Sequence, residues 1–333
     1  MGNTIYDIAK AANVSIATVS RVMNNNGKVR TKTRDKVLKI ADEMGYHPQA
    51  FAQGLASKKK NTIAVVVPMI SNYFFMEVLA GIQDQVTNHE YELTVLNIKS
   101  DEDLFNQVEH QLKRQFAEGY IFISIHFEDE KWKKLQKYEP SIVIIDDYFG
   151  DFDSVSVDNR KGAFKATSYF IEQGYERIAL LSAVESSKPV KQRIEGYQAA
   201  LEYAGLPFDR SLIISSGSTY RDGFTEKDGY LAMKKILSLD PLPEACYSVS
   251  DVKAIGAIKA MDEMGIRIPM ISNDNLAIAE YIGLSTVAQP MYEMGKIASQ
   301  HVMDRIGEGT KDVEHTIYSP ELILRSSSEK IKP

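Results

Sequence analysis

The stretch VSIATVSRVMNN, residues 14–25, determines how the beginning of this chain folds. On a helix, where successive residues are 100° apart, one side of the stretch can pack on a core and carries Thr18, Val19, Val22 and Met23. The opposite side carries Ile16, Ala17, Ser20, Arg21 and Asn24. A merely solvated face is usually rich in Lys and Glu, so this mixture of apolar, hydroxyl, guanidinium and amide groups indicates a face that recognises another molecule.

The residues around this helix predict two more helices. Thr4 can cap a first helix that begins at Ile5, and Asp7 completes a capping box. A tight turn over residues 12–14 then leads to Ser15, which caps the second helix. The third helix is predicted to begin near Thr31 or Thr33 and to end at Gly45, with one apolar stripe formed by Val37, Leu38, Ala41 and Met44. Three short helices in this arrangement are typical of a helix-turn-helix.

The charge of the chain is distributed unevenly. The 333 residues carry a net charge of −6, but residues 1–60 hold 11 Lys or Arg against 4 Asp or Glu, and the remainder holds 28 against 41. A basic segment on an acidic body indicates nucleic-acid binding by that segment, because cations placed near phosphates release counterions. A solvated basic surface is the alternative interpretation.

The segment YHPQAFAQGLASKKKN, residues 46–61, connects this head to the rest of the chain. Its helical part ends by about residue 57, and it is shorter than the ~12–15 residues that an isolated helix needs in water. Two interpretations remain open: a plain linker, or a segment that folds only when a partner holds it.

From Thr62 onward, short apolar runs alternate with amphipathic helices. The predicted strands are IAVVVP, YELTVLNI, YIFISI, IVIID, RIALLSA, LIIS and ACYSVS. This alternation predicts parallel sheets covered by helices on both faces. Roughly 270 residues are many for one such sheet, so two lobes are expected, with a ligand beyond the carboxyl ends of the strands.

The sequence lacks the usual motifs of enzymes. It contains no phosphate-binding loop, dinucleotide fingerprint, nucleophile elbow or zinc-protease motif, and its six histidines have no metal-ligand spacing. Asp146 and Asp147 form the best acid/base pair, but adjacent residues on an extended segment point to opposite sides. We therefore predict a protein that is not an enzyme and that has no metal and no cofactor.

Two further features concern the compartment. The chain has a single cysteine, Cys246, and neither a signal-like apolar segment nor a run long enough to span a bilayer. These features favour a cytoplasmic, nucleoid-associated protein without a membrane partner.

Nearly the whole chain resembles the lactose repressor family of bacterial transcription regulators, and it is nearest to that family's catabolite-control members. TIYDIAKAANVSIATVSRVMN matches the DNA-binding head, and GYHPQAFAQGLASKK matches the hinge helix. The resemblance implies a small all-α helix-turn-helix head plus an α/β periplasmic-binding-protein-like core of two parallel-sheet lobes. The implied division is a head at 1–46, a hinge at 47–61 and a core at 62–333, with lobe 1 at about 62–158 and 290–319 and lobe 2 at about 159–289 and 320–333.

The same resemblance implies which residues contact DNA. Base contacts fall on Ile16, Ala17 and Arg21, and on Leu55, which would be inserted into the minor groove from the hinge. The implied phosphate contacts are Thr4, Tyr6, Ser15, Thr18, Asn24, Thr31 and Tyr46. A packing role for Leu55 is the alternative.

For the core, the resemblance implies an effector site of mixed chemistry. Its residues are Phe74, Asp146, Arg193, Tyr220, Ser250, Asp274 and Gln289. Arg193 and Asp274 suit hydroxyls, a carboxylate or a base edge, and the expected effector is a sugar, a sugar phosphate or a nucleobase. A structural ion pair between these two residues is the alternative. The sequence departs from the family at Asn273, where an apolar or aromatic residue is usual.

These features together predict a homodimeric repressor of a carbohydrate or related metabolic operon, bound to double-stranded operator DNA and controlled by a small-molecule effector. A phosphorylated carrier protein, which binds some relatives through arginines, is disfavoured because Gln300 and Glu321 occupy those positions. A solute-binding protein for uptake is the alternative that the core alone would allow.

Overall fold

The computed structural model describes residues 3–23, 29–46, 60–70, 72–98, 103–138, 141–185, 187–218, 220–308 and 312–330. The chain divides into two compact units, Met1–Asn61 and Thr62–Pro333. Two predicted DNA contacts, Asn24 and Leu55, lie outside the described residues.

In the part of the first unit that the structure describes there are three helices: α1 (Ile5–Ala12), α2 (Ile16–Met23) and α3 (Thr31–Glu43). Their core is formed by Ile8, Ala9, Ala12, Val19, Val22, Val37 and Ala41, all buried. The prediction that Leu38 belongs to the apolar stripe is wrong, because Leu38 is 41% exposed. So small a core buries only a narrow stripe of α3, and Leu38 lies 100° around the helix from Val37.

Short polar interactions fix the ends of these helices as the sequence predicted. The Asp7 carboxylate accepts hydrogen bonds from the backbone N–H of Thr4 at 2.8 Å and from its hydroxyl at 2.6 Å. Ser15 Oγ accepts from the backbone N–H of Thr18 at 3.1 Å. Gly45, at φ +60°, ends α3 in the left-handed conformation that favours glycine.

The second unit alternates strands and helices. Its first half contains β1 (Thr62–Val67), α4 (Tyr73–Asn88), β2 (Glu92–Asn97), α5 (Leu104–Arg114), β3 (Gly119–Ile123), α6 (Asp129–Gln136), β4 (Ser141–Ile145), β5 (Asp153–Val157), α7 (Asn159–Glu172) and β6 (Ile178–Leu181). There follow α8 (Lys188–Tyr203), β7 (Ile213–Ile214), α9 (Glu226–Ile236), β8 (Ala245–Ser248), α10 (Asp251–Met264), β9 (Met270–Asp274), α11 (Ala277–Tyr281), β10 (Ser285–Ala288), α12 (Met291–Glu308), β11 (His315–Tyr318) and β12 (Glu321–Ile323).

The strands form two six-stranded sheets, one in each lobe. Lobe 1 has the strand order β11-β5-β4-β3-β1-β2, and lobe 2 has the order β12-β10-β9-β8-β6-β7. Every pair is parallel except β10 with β12. The chain passes between the sheets after β5, after β10 and after β11, so the lobes are joined by three segments.

Close helix packing fixes α12, which comes late in the chain, onto lobe 1. A Cβ added to Gly81 of α4 would lie 2.0 Å from the carbonyl oxygen of Tyr292. One added to Gly295 of α12 would lie 2.1 Å from the carbonyl oxygen of Val78. The two helix backbones therefore touch where neither carries a side chain. Among the described residues, no helix has the length and apolar character needed to cross a membrane.

Candidate functional site

The outer face of α2 is the first candidate site. Ile16 is 42% exposed and Ala17 and Arg21 are also exposed, whereas Val19 and Val22 on the other face are buried. The structure therefore divides the helix as its sequence pattern predicts. With an exposed isoleucine and an exposed arginine, this face of a helix in a basic unit offers both apolar contact and a forked donor.

The predicted phosphate contacts differ in their surroundings. Tyr6 and Thr31 are exposed, and Tyr46 packs against the core of the first unit. The hydroxyls of Thr4 and Ser15 already serve as helix caps, and Ser15 Oγ also lies 2.9 Å from Thr18 Oγ1. Contact of these residues with DNA stays a prediction.

A cleft in the second unit is the other candidate site. It encloses about 670 Å³, including its solvent-open mouth, and it is lined by residues of both lobes. Six of the predicted effector residues line it together: Phe74, Asp146, Arg193, Ser250, Asp274 and Gln289. The side chain of Tyr220 lies outside what the structure describes, and its backbone begins the 3₁₀ turn Tyr220–Gly223.

Arg193, on α8, is held by neutral acceptors. It is 4% exposed, its Nε donates to Asn159 Oδ1 at 3.0 Å, and its Nη1 donates to the carbonyl of Val249 at 2.6 Å. Among the ion pairs of the described residues, none joins Arg193 to Asp274. The guanidinium is thus oriented in the cleft by neutral acceptors, and although its charge acts on Asp146 and Asp274, it makes no direct contact with Asp274 of the kind that the structural ion-pair interpretation requires.

Two strained residues follow neighbouring strands of lobe 1 and meet in the cleft. Ser124 follows β3 at φ +51° and Asp146 follows β4 at φ +66°. Ser124 Oγ donates to the Asp146 carboxylate at 2.8 Å. Burial raises the pKa of Asp146, although the charges of His126 and Arg193 act against this shift. Left-handed backbone at two adjacent strand ends is the kind of strain that clusters at functional sites.

In lobe 2 the matching position is the end of β9. Asp274 has φ +127°, and Gln289 Nε2 donates to its Oδ1 at 2.7 Å. Burial raises the pKa of Asp274, Arg193 lowers it, and the charge of Asp251 raises it further. Oε1 of Gln289 is buried and has no hydrogen-bond partner among the described residues.

Asn273 and Ser250 have structural partners. Asn273 is buried, its amide donates to Asp274 Oδ1 at 3.2 Å, and its Oδ1 accepts from the Tyr247 hydroxyl at 3.3 Å. Asn273, which departs from the family pattern, thus holds the Asp274 carboxylate of the cleft through a hydrogen bond. Ser250 caps α10, because its Oγ accepts from the backbone N–H of Lys253 at 3.3 Å.

Asp146 and Asp147 have separate partners, as their adjacency predicted. Asp147 lies 3.1 Å from His126 Nδ1 and pairs with Lys188, at the start of α8, so this carboxylate joins the two lobes. Burial would raise the pKa of Asp147, but the hydrogen bonds and charges of His126 and Lys188 outweigh burial and lower it. The described residues offer no group of three His, Cys, Asp or Glu side chains that could hold a metal ion.

The sequence reasoning missed several residues that line the cleft: Asn72, Phe75, Ser124, His126, Asp222 and Phe224. A signal existed for Ser124 and His126, because they lie at and just after the end of the predicted strand YIFISI, as Asp146 lies at the end of IVIID. Asp222 and Phe224 belong to a turn that no pattern marks.

Family comparisons cover both units. Residues 4–49 match the model of "Bacterial regulatory proteins, lacI family", and residues 60–321 match "Periplasmic binding proteins and sugar binding domain of LacI family". The chain is 33% identical to catabolite control protein A of Priestia megaterium over 322 residues, which cover 94% of this chain and 95% of the relative.

Two solved structures have a similar fold. A LacI family transcriptional regulator from Enterococcus faecium with bound ribose is 25% identical, has a TM-score of 0.71, and covers 81% of this chain and 100% of its own. The Lac repressor dimer bound to operator and the anti-inducer ONPF is 22% identical, has a TM-score of 0.79, and covers 98% of this chain and 99% of its own.

These matches confirm the predicted fold class. Because the head matches as well as the core, they also favour a regulator over a solute-binding protein. The relatives are transcription regulators and not enzymes. The chain belongs to the LacI family of DNA-binding bacterial transcription regulators.

Proposed function

We propose that this regulator is a homodimeric repressor of a carbohydrate operon, released or engaged by a neutral polyhydroxylated ligand in the cleft between its lobes. The chemistry of that cleft is the observation that carries the proposal. Among the side chains that the structure describes, the ionisable groups that line it are three carboxylic side chains, Asp146, Asp222 and Asp274, with Arg193 and His126.

This lining suits a sugar better than the other ligands considered. Carboxylates accept hydrogen bonds from hydroxyls, the Arg193 guanidinium donates to ring or hydroxyl oxygens, and Phe74 offers an apolar wall to the C–H face of a sugar. A sugar phosphate would bring two negative charges beside three acidic groups and is disfavoured. The ribose in the Enterococcus faecium relative supports a sugar.

The head supplies the DNA contacts in this proposal. Arg21 would donate both branches of its fork to O6 and N7 of a guanine, while Ile16 and Ala17 would lie against thymine methyl groups. The phosphate contacts predicted from the sequence would set the register. Residues 47–61 would form the hinge, and Leu55 would open a central base step from the minor groove.

Exposed apolar side chains support a dimer. Ile70, Tyr73 and Met76, near the start of α4, are 49%, 46% and 50% exposed, and Tyr281 at the end of α11 is 84% exposed. A second copy of the chain is the occupant we propose for these surfaces, because each head reads only half of a two-fold site. Sedimentation at micromolar concentration would show a dimer, and a strictly monomeric species would contradict this part.

The remaining assignments follow from the regulator role. A protein that binds operator DNA would work in the cytoplasm, at the nucleoid. We also propose that a phosphorylated carrier protein is not its partner, since Gln300 is engaged with Gln85 at 2.8 Å and Glu321 adds a negative charge.

One experiment tests the proposal. The full-length protein is used to select its site from random duplex DNA, and binding to that site is then measured with neutral sugars, sugar phosphates and nucleobases. We expect a short pseudo-palindrome, a steep fall of affinity with salt, and a change of at least tenfold with a neutral sugar. A change caused only by a phosphorylated ligand would contradict the ligand class.

A further inference from the structure

Lys253, in the first turn of α10, is completely buried. Its exposed fraction is 0%, and it is among the largest fully buried side chains of the described residues. Lysine usually extends its ammonium to the surface along its flexible stem, and it is almost never fully buried without a partner. Neither the DNA-reading face nor the lining of the cleft accounts for it.

The packing of α9 against α10 closes the route to solvent. A Cβ added to Gly229 of α9 would lie 2.0 Å from the carbonyl oxygen of Lys253 and 2.6 Å from its Cα. The two helix backbones therefore touch at Lys253, and its side chain extends beneath the segment that precedes α9. This segment includes the 3₁₀ turn Tyr220–Gly223.

The ammonium of Lys253 is hydrogen-bonded to that turn. Lys253 Nζ donates to the carbonyl oxygen of Gly223 at 2.7 Å. Gly223 stands between Asp222 and Phe224, both of which line the cleft. Asp222 at φ +52° and Gly223 at φ +75° form a left-handed pair, and the backbone N–H of Val184 donates to the Asp222 carbonyl at 3.1 Å. The lysine thus holds the residue from which both lining side chains are placed.

The base of the same segment has an independent support. The buried carboxylate of Asp228 accepts from Ser216 Oγ at 2.7 Å and from Thr225 Oγ1 at 2.5 Å. Removing the lysine would therefore leave the two ends of the segment in place and free mainly its tip. Burial lowers the pKa of Lys253 to about 8, and the charge of Asp228 acts in the opposite direction.

Burial of an ammonium costs hydration free energy, whereas an unbranched apolar side chain would fill the same space without that cost. We infer that Lys253 is a positioning residue of the ligand cleft, whose ammonium fixes the carbonyl of Gly223 and thereby sets Asp222 and Phe224 against the ligand. The role is one of specificity and affinity for the ligand, and it does not contribute to the stability of the lobe. Only its ligand part rests on the proposed function.

The test compares the full-length protein with Lys253→Met, which keeps the length of the side chain and removes the charge. Lys259→Met, in the exposed part of the same helix, is the matched control. In hydrogen exchange, we expect residues 220–226 to exchange at least tenfold faster in Lys253→Met, with α8 unchanged. The Tm should stay equal or rise by a few degrees, because a buried charge is removed. Unchanged exchange at 220–226, or a lower Tm with faster exchange throughout lobe 2, would overturn the inference.

A calorimetric titration with D-ribose separates this inference from the proposed function. We expect Lys253→Met to bind D-ribose at least tenfold more weakly than the wild type, and Lys259→Met to bind it equally. Equal binding by all three proteins would refute the positioning role. If none binds D-ribose, that result counts against the proposed ligand class, and the exchange measurement still decides the role of Lys253.

Discussion

The reading face of α2 and the cleft of the core are built in opposite ways. The face is local: Ile16, Ala17 and Arg21 are exposed on one helix of eight residues, and the same helix buries Val19 and Val22. The cleft is assembled from segments between residues 68 and 289, and its carboxylic groups lie at strand ends and turns of two lobes, while Arg193 lies on α8.

This difference has a physical consequence for how each site responds to change. Presentation of the reading face requires only that the first unit is folded, because all of its side chains lie on one helix of that unit. The cleft depends on the relative placement of two lobes, so interactions remote from the ligand can alter it. A site built across lobes can switch, whereas a rigid helix face can only be present or absent.

The largest expected effect is on the folding of the head, and it distinguishes the buried face of α2 from its DNA-reading face. Val19→Asp places a carboxylate in the core of a unit with few core residues and should cost at least about 4 kcal/mol, which unfolds the head. Ile16→Asp introduces the same side chain on the exposed face and should leave the head folded. Both variants should lose specific DNA binding, but only Val19→Asp should lose head signals in an NMR spectrum. A folded Val19→Asp head would break the distinction between the two faces.

An intermediate effect on the stability of the core is expected at Asp147, the carboxylate that joins the lobes. Asp147→Asn removes the charge that pairs with His126 and Lys188, and it should lower the free energy of unfolding of the core by about 2 kcal/mol. Because the pKa of Asp147 is lowered by folding, its contribution is complete above the ordinary carboxyl pKa of about 4 and is lost as the pH falls below it.

The measurement is urea unfolding at pH 7 and at pH 3. The difference between wild type and Asp147→Asn should be present at pH 7 and shrink at pH 3. Asp151→Asn, an exposed carboxylate that accepts from Gln136 at 2.9 Å, is the control and should change stability by less than about 0.5 kcal/mol. A pH-independent difference would show that the ionised form of Asp147 is not what stabilises the core.

The smallest effect concerns the cap of α2. Ser15→Ala removes the acceptor for the backbone N–H of Thr18 and should cost the head about 1 kcal/mol. The thermal transition of the head should move down while the ligand affinity of the core stays the same. A parallel loss of ligand affinity would mean that the two sites are less separable than their construction suggests.

How much the sequence could predict follows the same division. The helices of the head, their caps and the exposed face of α2 were predictable, because capping and periodicity are local. Leu38 was misplaced because a stripe drawn on one helix does not show how wide a neighbouring surface is. Every strand predicted from an apolar run is present, whereas β5, β9, β10, β11 and β12 went unrecognised, since each is short and contains polar residues that interrupt its apolar pattern.

The alternation of strands and helices predicted a ligand beyond the carboxyl ends of the strands, but most of the residues that line the cleft were predictable only through family resemblance. The resemblance brought Asp146, Arg193 and Asp274 together, and the structure places all three in one cleft. It gave no indication of the Asp222–Phe224 turn or of its support by Lys253, because these contacts join α10 to a segment about 30 residues earlier through a single side chain. The positive φ angles of Ser124, Asp146 and Asp274 were equally hidden, since none of these residues is glycine.

The central claim is that one chain carries a DNA-reading site and a ligand site that are separate but coupled. Its most direct test is operator binding by Arg21→Ala and by Arg193→Ala, measured with and without the sugar found in the screen. Arg21→Ala should relax discrimination at one base pair by about 1–3 kcal/mol and still bind the sugar. Arg193→Ala should bind the operator as the wild type does without sugar, and it should show no response when the sugar is added. If Arg193→Ala still binds the sugar and still switches, Arg193 does not anchor the ligand and the account of the cleft is contradicted.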